Sequence, residues 1–309
     1  MVRLDTENML QDLSLPKGGM QLIDNERQRL ITDAMRQLNP QLATGGSAGN
    51  AILALARLGA DVAFVGKVAD DGMGRLLADH MRSAGIDARL IQGSGSTGVA
   101  NTFITPDGQR TFATHLGAAA TMTAQDITPD MLQGCSVLHI EGYLVQNHEL
   151  IEHVARMAHG MGATVSLDLG SHNVVSADLP FFRHLVQQYV DIVFANEEES
   201  AAFTQGLNPQ EALQQIAGMC RVAVVKLGAR GSSAMCGTDR AWAAAQQVPV
   251  VDTTAAGDFF AGGFLYAYSH GRRLEDCLRT GALLSRYVIQ VVGTQLPAAA
   301  WNEIKRELS

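Results

Sequence analysis

The chain has 309 residues, 47% hydrophobic and 17% charged, enough apolar material for one large α/β domain or two smaller ones. Its 23 Lys+Arg against 31 Asp+Glu give a formal charge of −8, with no basic tract and only 6% aromatics, which excludes nucleic acid as an expected partner. No apolar run approaches the ~20 residues that span a bilayer, so no membrane partner is expected. Cys135, Cys220, Cys236 and Cys277 are scattered without a C-x-x-C pair, and the start carries Arg3, Asp5 and Glu7 rather than an apolar leader. A reducing, cytoplasmic setting is the expectation.

In chain order, "MVRLD" (1–5) and "GGMQLI" (18–23) look strand-like. "ATGGSAGNAILALARLGADVAFVG" (43–66) places Gly45 and Gly46 before a helix that Ser47 can cap. Asn50 lies one turn inside it, with a carboxamide able to grip a diol through donor and acceptor together. A plain Gly-Gly turn with an N-cap accounts for the same letters. From about 87 to 115, "TGVANTFIT" and "QRTFATHL" alternate around a Pro-Asp-Gly turn, the pattern of an antiparallel hairpin. Such an excursion in an α/β chain serves as a lid or an oligomer contact, and residues 1–23 are candidates to join it. "GSGSTG" (93–98) matches the dinucleotide fingerprint letter for letter, but a hairpin follows it where that motif needs a helix.

Beyond residue 120 the pattern changes. "SVLHI" (136–140), "TVSLD" (164–168), "DIVFA" (191–195) and "VAVVK" (222–226) are short unbroken apolar runs, as in strands buried on both faces of a parallel sheet. Helical periods such as "HELIEHVARMAHG" and "NPQEALQQIAGMC" separate them, so repeated βα units are expected. His148 and His153 mimic a zinc helix, yet at i and i+5 they lie ~140° apart and cannot share a metal from one face.

"FANEEES" (194–200) puts Asn196 at a strand's carboxyl end, where open α/β sheets bind ligands. Asn196 and Glu199 suit Mg²⁺ or its waters, but taken alone this N-x-x-E before a helix reads first as a capping box. "VVKLGARGS" (224–232) brings Lys226, Gly228 and Gly231 to a nucleotide or to a tight hairpin. In "VVDTTAAGDFFAGGFLYAYSHG" (250–271), Ala255, Ala256 and Gly257 precede a helix whose first amides form an anion site. Asp258 would repel a resting phosphate there, so it reads as a general base for an attacking hydroxyl. The bland alternative is an acid favoured by the helix dipole. Gly262 and Gly263 suggest tight packing one turn on.

With these residues in hand, the chain resembles the ribokinase-type (PfkB) carbohydrate kinases. "DTTAAGD" (252–258) resembles the family's C-terminal signature and "GGSAGNAILALARLG" (45–59) its N-terminal one, with Asn196, Glu199, "KLG" and "GTQLP" in order between and after. "LPKGGMQLID", "GQRTFATHLGAAATMTAQDI" and "HIEGYLVQNHELI" are most similar to bacterial adenosine-kinase-like members. The resemblance implies a single α/β kinase domain over 1–309, a three-layer ribokinase-like sandwich with a mostly parallel central sheet. A small β lid would come from about 1–23 and 87–116, with a homodimer through it as one expected assembly. It implies transfer of the γ-phosphate of ATP, with Mg²⁺ and a monovalent cation such as K⁺, to a hydroxyl of a nucleoside or sugar. Adenosine is the favoured acceptor; ribose or another sugar, or a non-catalytic sensor, are the alternatives. Asp258 would be the base and 255–258 the anion hole, with Gly45, Gly46, Asn50 and Arg110 toward the acceptor. Asn196, Glu199, Lys226, Gly228 and Gly231 would border ATP, Glu199 serving Mg²⁺ through water, and Asp252 the monovalent cation. Two departures stand out. Ala255 replaces a signature Gly, which a negative φ would tolerate and a positive φ would strain. The family's first strand, of the type G-x-G-N-x-x-x-D, is absent, so a longer natural chain carrying it upstream is expected.

Overall fold

The computed structural model describes residues 1–107 and 109–308. The chain divides into two units, one of residues 1–45 with 63–122, the other of 46–62 with the residues from Thr123 on.

The first unit opens with β1 (Val2–Arg3), α1 (Asn8–Asp12), β2 (Met20–Leu22) and α2 (Asn25–Arg36). After α3 (Ser47–Leu58), which belongs to the second unit, come β3 (Ala63–Ala69), α4 (Gly72–Ser83), β4 (Asp87–Gly93), β5 (Thr97–Ile104) and β6 (Arg110–Gly117). β5 and β6 pair antiparallel with Ile104 opposite Arg110, which is the hairpin that the alternation predicts. Asp107 helps close its turn by accepting from Thr105 Oγ1 at 2.6 Å and from the Gln109 amide at 3.2 Å. The last residue of the Pro-Asp-Gly motif, Gly108, lies outside the described residues. β1 adds parallel to β5 and β2 parallel to β6, giving a sheet ordered β1-β5-β6-β2. Thr111, Ala113 and His115 are buried while their neighbours along β6 are not, a period of two that turns one face inward. Phe103 and Ala113 pack there with Leu10, Ile31 and Met35 from α1 and α2. Residues 87–93 lie outside that sheet, because β4 pairs parallel with β3 instead. The "GSGSTG" stretch therefore links two strands, and no helix opens on it.

The second unit carries β7 (Val137–Glu141), α5 (His148–Gly160), β8 (Thr164–Asp168), α6 (His172–Ala177), α7 (Leu179–Tyr189) and β9 (Ile192–Asn196). Next come α8 (Glu197–Thr204), α9 (Pro209–Ala217), β10 (Val222–Lys226), β11 (Ser232–Cys236), β12 (Asp239–Ala243), α10 (Ala256–Ser269), α11 (Leu274–Val288) and α12 (Ala298–Leu308). The sheet order is β12-β11-β10-β9-β8-β7, parallel from β7 to β10 and antiparallel at β11 and β12. The apolar runs split cleanly by period two. Val193, Ala195, Ala223 and Val225 face a core with Ile151, Phe182, Leu185 and Ile216 from α5, α7 and α9. Ile192, Phe194, Val222 and Val224 face another with Phe260, Phe264 and Leu278 from α10 and α11. Helices thus cover both faces of the sheet, the three-layer arrangement expected of strands with no polar side. Among the described residues, no strand pairs with the outer edge of β7, and the chain's opening strand lies in the four-stranded sheet.

The parallel strands end in a row of polar residues: Glu141 on β7, Asp168 on β8, Asn196 on β9 and Lys226 on β10. Register aligns Glu141 with Asp168 and Lys226 with Asn196. That row at the carboxyl ends is where an open α/β sheet takes its ligands.

Candidate active site

Asp258 sits in the first turn of α10, among residues too small to shield the backbone. The Phe259 amide is bonded back to the Ala255 carbonyl at 2.8 Å, while the Gly257 and Asp258 amides have no intrahelical acceptor. Ala255 is the N-cap, at φ 59° and ψ 10°, in the left-handed region. The negative φ that would have suited alanine is not adopted, and its Cβ carries a strain of about 1 kcal/mol. Ala255→Gly is therefore expected to stabilise the protein by about 1 kcal/mol less the entropy that glycine adds to the unfolded chain. Urea denaturation reads this; a midpoint that falls would show that Ala255 is unstrained.

Two donors from α3 hold the Asp258 carboxylate. Ser47 Oγ donates to Oδ1 at 2.7 Å and Asn50 Nδ2 to Oδ2 at 2.8 Å. Ser47 is thus not the expected cap: Gly46, at φ 100°, is the N-cap of α3 without a side-chain bond. Instead the Ala48 amide donates to Glu141 Oε2 at 2.9 Å, so a half-buried carboxylate fills the N-terminus of α3. Asn50 is 7% exposed and gives its amide nitrogen to Asp258, leaving the carboxamide oxygen as its acceptor for a ligand. Burial pushes the Asp258 carboxyl above its ordinary value, against the pull of Asn50 and Ser47, and the charge of Asp168 adds to the rise. Burial raises Glu141 in the same way. A carboxylate lifted toward neutrality is the better proton acceptor.

Along the strand ends, Lys226 Nζ donates to Asp168 Oδ2 at 2.8 Å. Asn196 and Glu199 form a complete capping box at the start of α8. The Asn196 amide donates to Glu199 Oε2, Asn196 Nδ2 to Oε1, and the Glu199 amide to Asn196 Oδ1, each at 2.8 Å. Burial, then the Asp168 charge, lift Glu199 to about 7 from an ordinary 4.5. Because the folded state holds that proton more tightly, Glu199 lowers stability as pH rises from 4.5 to about 7 in the metal-free protein. Glu199→Gln keeps a cap and removes this slope, so urea midpoints at pH 5 and pH 8 should converge. An undiminished difference would place the titration elsewhere.

The remaining expected residues fall in different settings. Asp252, 6% exposed, accepts from the Thr254 amide and hydroxyl on Oδ1 and from the Gly293 amide on Oδ2. It clasps the loop before α10 to the "GTQLP" turn. A Cβ on Gly231 would stand 2.1 Å from the Ala243 carbonyl, so this glycine serves the close approach of β12. No atom lies within 4 Å of such a position on Gly45, Gly46 or Gly228. Arg110 opens β6 in the first unit. Glu141, Asp168 and Ser47 are the additions. Reading the last residue of every buried parallel strand, as for Asn196, would have found the first two.

Comparison with known proteins places the chain in a family. Residues 14–301 match the pfkB family carbohydrate kinase model. The adenosine kinase from Sinorhizobium meliloti superposes with a TM-score of 0.91 at 33% identity, covering 100% of this chain and 95% of that one. A probable sugar kinase from Rhizobium etli CFN 42 gives 0.91 at 35% identity, covering 99% and 94%. An adenosine kinase of Schizophyllum commune is 27% identical over 94% of this chain and 92% of its own length. The fold and site define a phosphotransferase with a hydroxyl acceptor. The chain belongs to the pfkB family of carbohydrate kinases, its fold is ribokinase-like, its co-substrate is ATP and its acceptor a small molecule of the nucleoside or sugar class.

Proposed function

We propose that the protein transfers the γ-phosphoryl group of ATP to a hydroxyl of adenosine, in preference to ribose or another sugar. One observation carries the chemistry: a half-buried Asp258, its carboxyl shifted upward and held by Ser47 and Asn50, lies beside helix amides that have no partner within the helix. Asp258 takes the proton of the attacking hydroxyl, whose oxygen bonds to the γ-phosphorus as the bond to ADP breaks. The α10 amides of Gly257 and Asp258 stabilise the transferring charge. Gly45, Gly46, the Asn50 oxygen and Arg110 serve the acceptor, and Gly228 borders the nucleotide. Residues 1–23 and 97–116 act as a lid within one kinase domain, residues 87–93 pairing with β3 instead, with a homodimer through that lid and a cytosolic setting as parts of the same reading. Adenosine kinases are among the similar proteins, which supports adenosine as the acceptor.

The residues fit Mg²⁺ in one manner. Among the described residues no group of three or more His, Cys, Asp or Glu could cage a metal. Mg²⁺ favours one or two carboxylates with waters and substrate phosphates, and Glu199, crowded by the negative charge of Asp168, suits the water-anchoring part. When bound it would neutralise phosphate charge. Glu199→Gln should raise the Mg²⁺ concentration for half-maximal turnover about tenfold; an unchanged requirement would leave Glu199 a cap alone. Asp252 is the residue offered for K⁺, although protein donors already meet both of its oxygens. A panel of adenosine, inosine, ribose and fructose 6-phosphate with ATP–Mg²⁺ tests the acceptor. The highest kcat/KM is expected for adenosine, and a sugar ahead of it would overturn that preference.

A further inference from the structure

Lys226 closes β10 and Asp168 closes β8, with β9 between them. Their ion pair is nearly shut from solvent, at 15% and 8% side-chain exposure. A buried pair of this kind adds little stability over apolar side chains of the same size, so its position asks for another reason. A Cβ on Gly257 would stand 3.1 Å from Lys226 Nζ. The ammonium therefore rests against the first turn of α10, where free amides and the helix dipole favour an anion. Burial opposes the charge on Lys226, but Asp168, Glu199 and Asp258 outweigh it. Asp168 is itself fixed from the far side, where the Gly170 amide donates to Oδ1 at 3.0 Å.

We propose that Lys226 is a catalytic residue contacting the transferring phosphoryl group at the α10 N-terminus, and that Asp168 is a positioning residue holding its ammonium there. This rests on the phosphotransfer reading and deepens it. An ammonium has three donors; Asp168 takes one and leaves others for phosphate oxygens. The proton of the acceptor still goes to Asp258, and the electrons of the broken bond leave with ADP, so Lys226 remains protonated throughout.

Lys226→Met is expected to weaken Mg²⁺–AMP-PNP at least about tenfold by calorimetry, to leave ADP within about threefold, and to cut turnover about 10²-fold. Asp168→Asn should lower turnover without changing the acceptor KM, and should destabilise the fold because a charge is left buried alone. The double variant Lys226→Met/Asp168→Leu decides between roles. Its melting point should recover while turnover stays at the level of Lys226→Met. Turnover that recovers with stability makes the pair structural, and equal losses for AMP-PNP and ADP remove the phosphoryl contact; either overturns the proposal. A wild-type protein that phosphorylates no acceptor refutes the kinase reading alone, since the comparison of AMP-PNP with ADP still reads Lys226.

Discussion

Asp258→Asn is expected to lower kcat by at least about 10², with little change in the KM for ATP. The amide keeps the size of the carboxylate but cannot accept the hydroxyl proton. Its nitrogen would also face one of two donors, Ser47 Oγ or Asn50 Nδ2, so part of the present grip on the side chain is lost. The hydroxyl of Ser47 can rotate to accept, whereas the amide nitrogen of Asn50 cannot. The pH profile separates loss of the base from loss of position. In the wild type, turnover should fall as acid protonates Asp258, at a pH above the ordinary carboxylate range, because its folded pKa is raised. That limb should be missing from the residual rate of the variant. Near-wild-type turnover would remove Asp258 from the base role.

Gly262→Val should be nearly as damaging, although Gly262 touches no reacting atom. A Cβ there would stand 2.7 Å from the Ala51 carbonyl and 2.9 Å from the Ala54 Cβ, both on α3. Valine must push α10 away from the helix that carries Ser47 and Asn50. Overpacking of this kind costs about 1–3 kcal/mol, and a displacement near 1 Å at a site costs about 10² in rate. The expected signature is a modest loss of melting temperature with a turnover loss too large for the unfolded fraction. A folded variant with full turnover would show that the spacing of α3 and α10 does not set the geometry at Asp258.

Much of this was legible before the structure, and the reason is local. Short Val- and Ile-rich runs separated by helical periods read as strands buried on both faces, so the three-layer sheet follows from the two patterns together. The hairpin of β5 and β6 follows from alternation around Pro-Asp-Gly, and the start of α10 from the small residues Ala255 to Gly257. What the letters could not give were pairings between distant segments. Ser47 looks like a cap because hydroxyls usually cap; that it reaches Asp258 instead depends on how closely glycines let α3 and α10 approach. Asp168 ends a run that reads simply as a strand and Glu141 directly follows another, and their partners, Lys226 and the Ala48 amide, lie 58 and 93 positions away. The sign of φ at Ala255 was likewise open, because a helix start can be built either way until the loop before it is placed.

The most direct measurement is ³¹P NMR of the purified protein with adenosine and ATP–Mg²⁺. The expected result is a phosphomonoester signal from adenosine growing one for one with ADP, and absent when Asp258→Asn is assayed over the same time. ATP that binds but yields no phosphomonoester with adenosine, inosine or any sugar would contradict phosphoryl transfer to a hydroxyl.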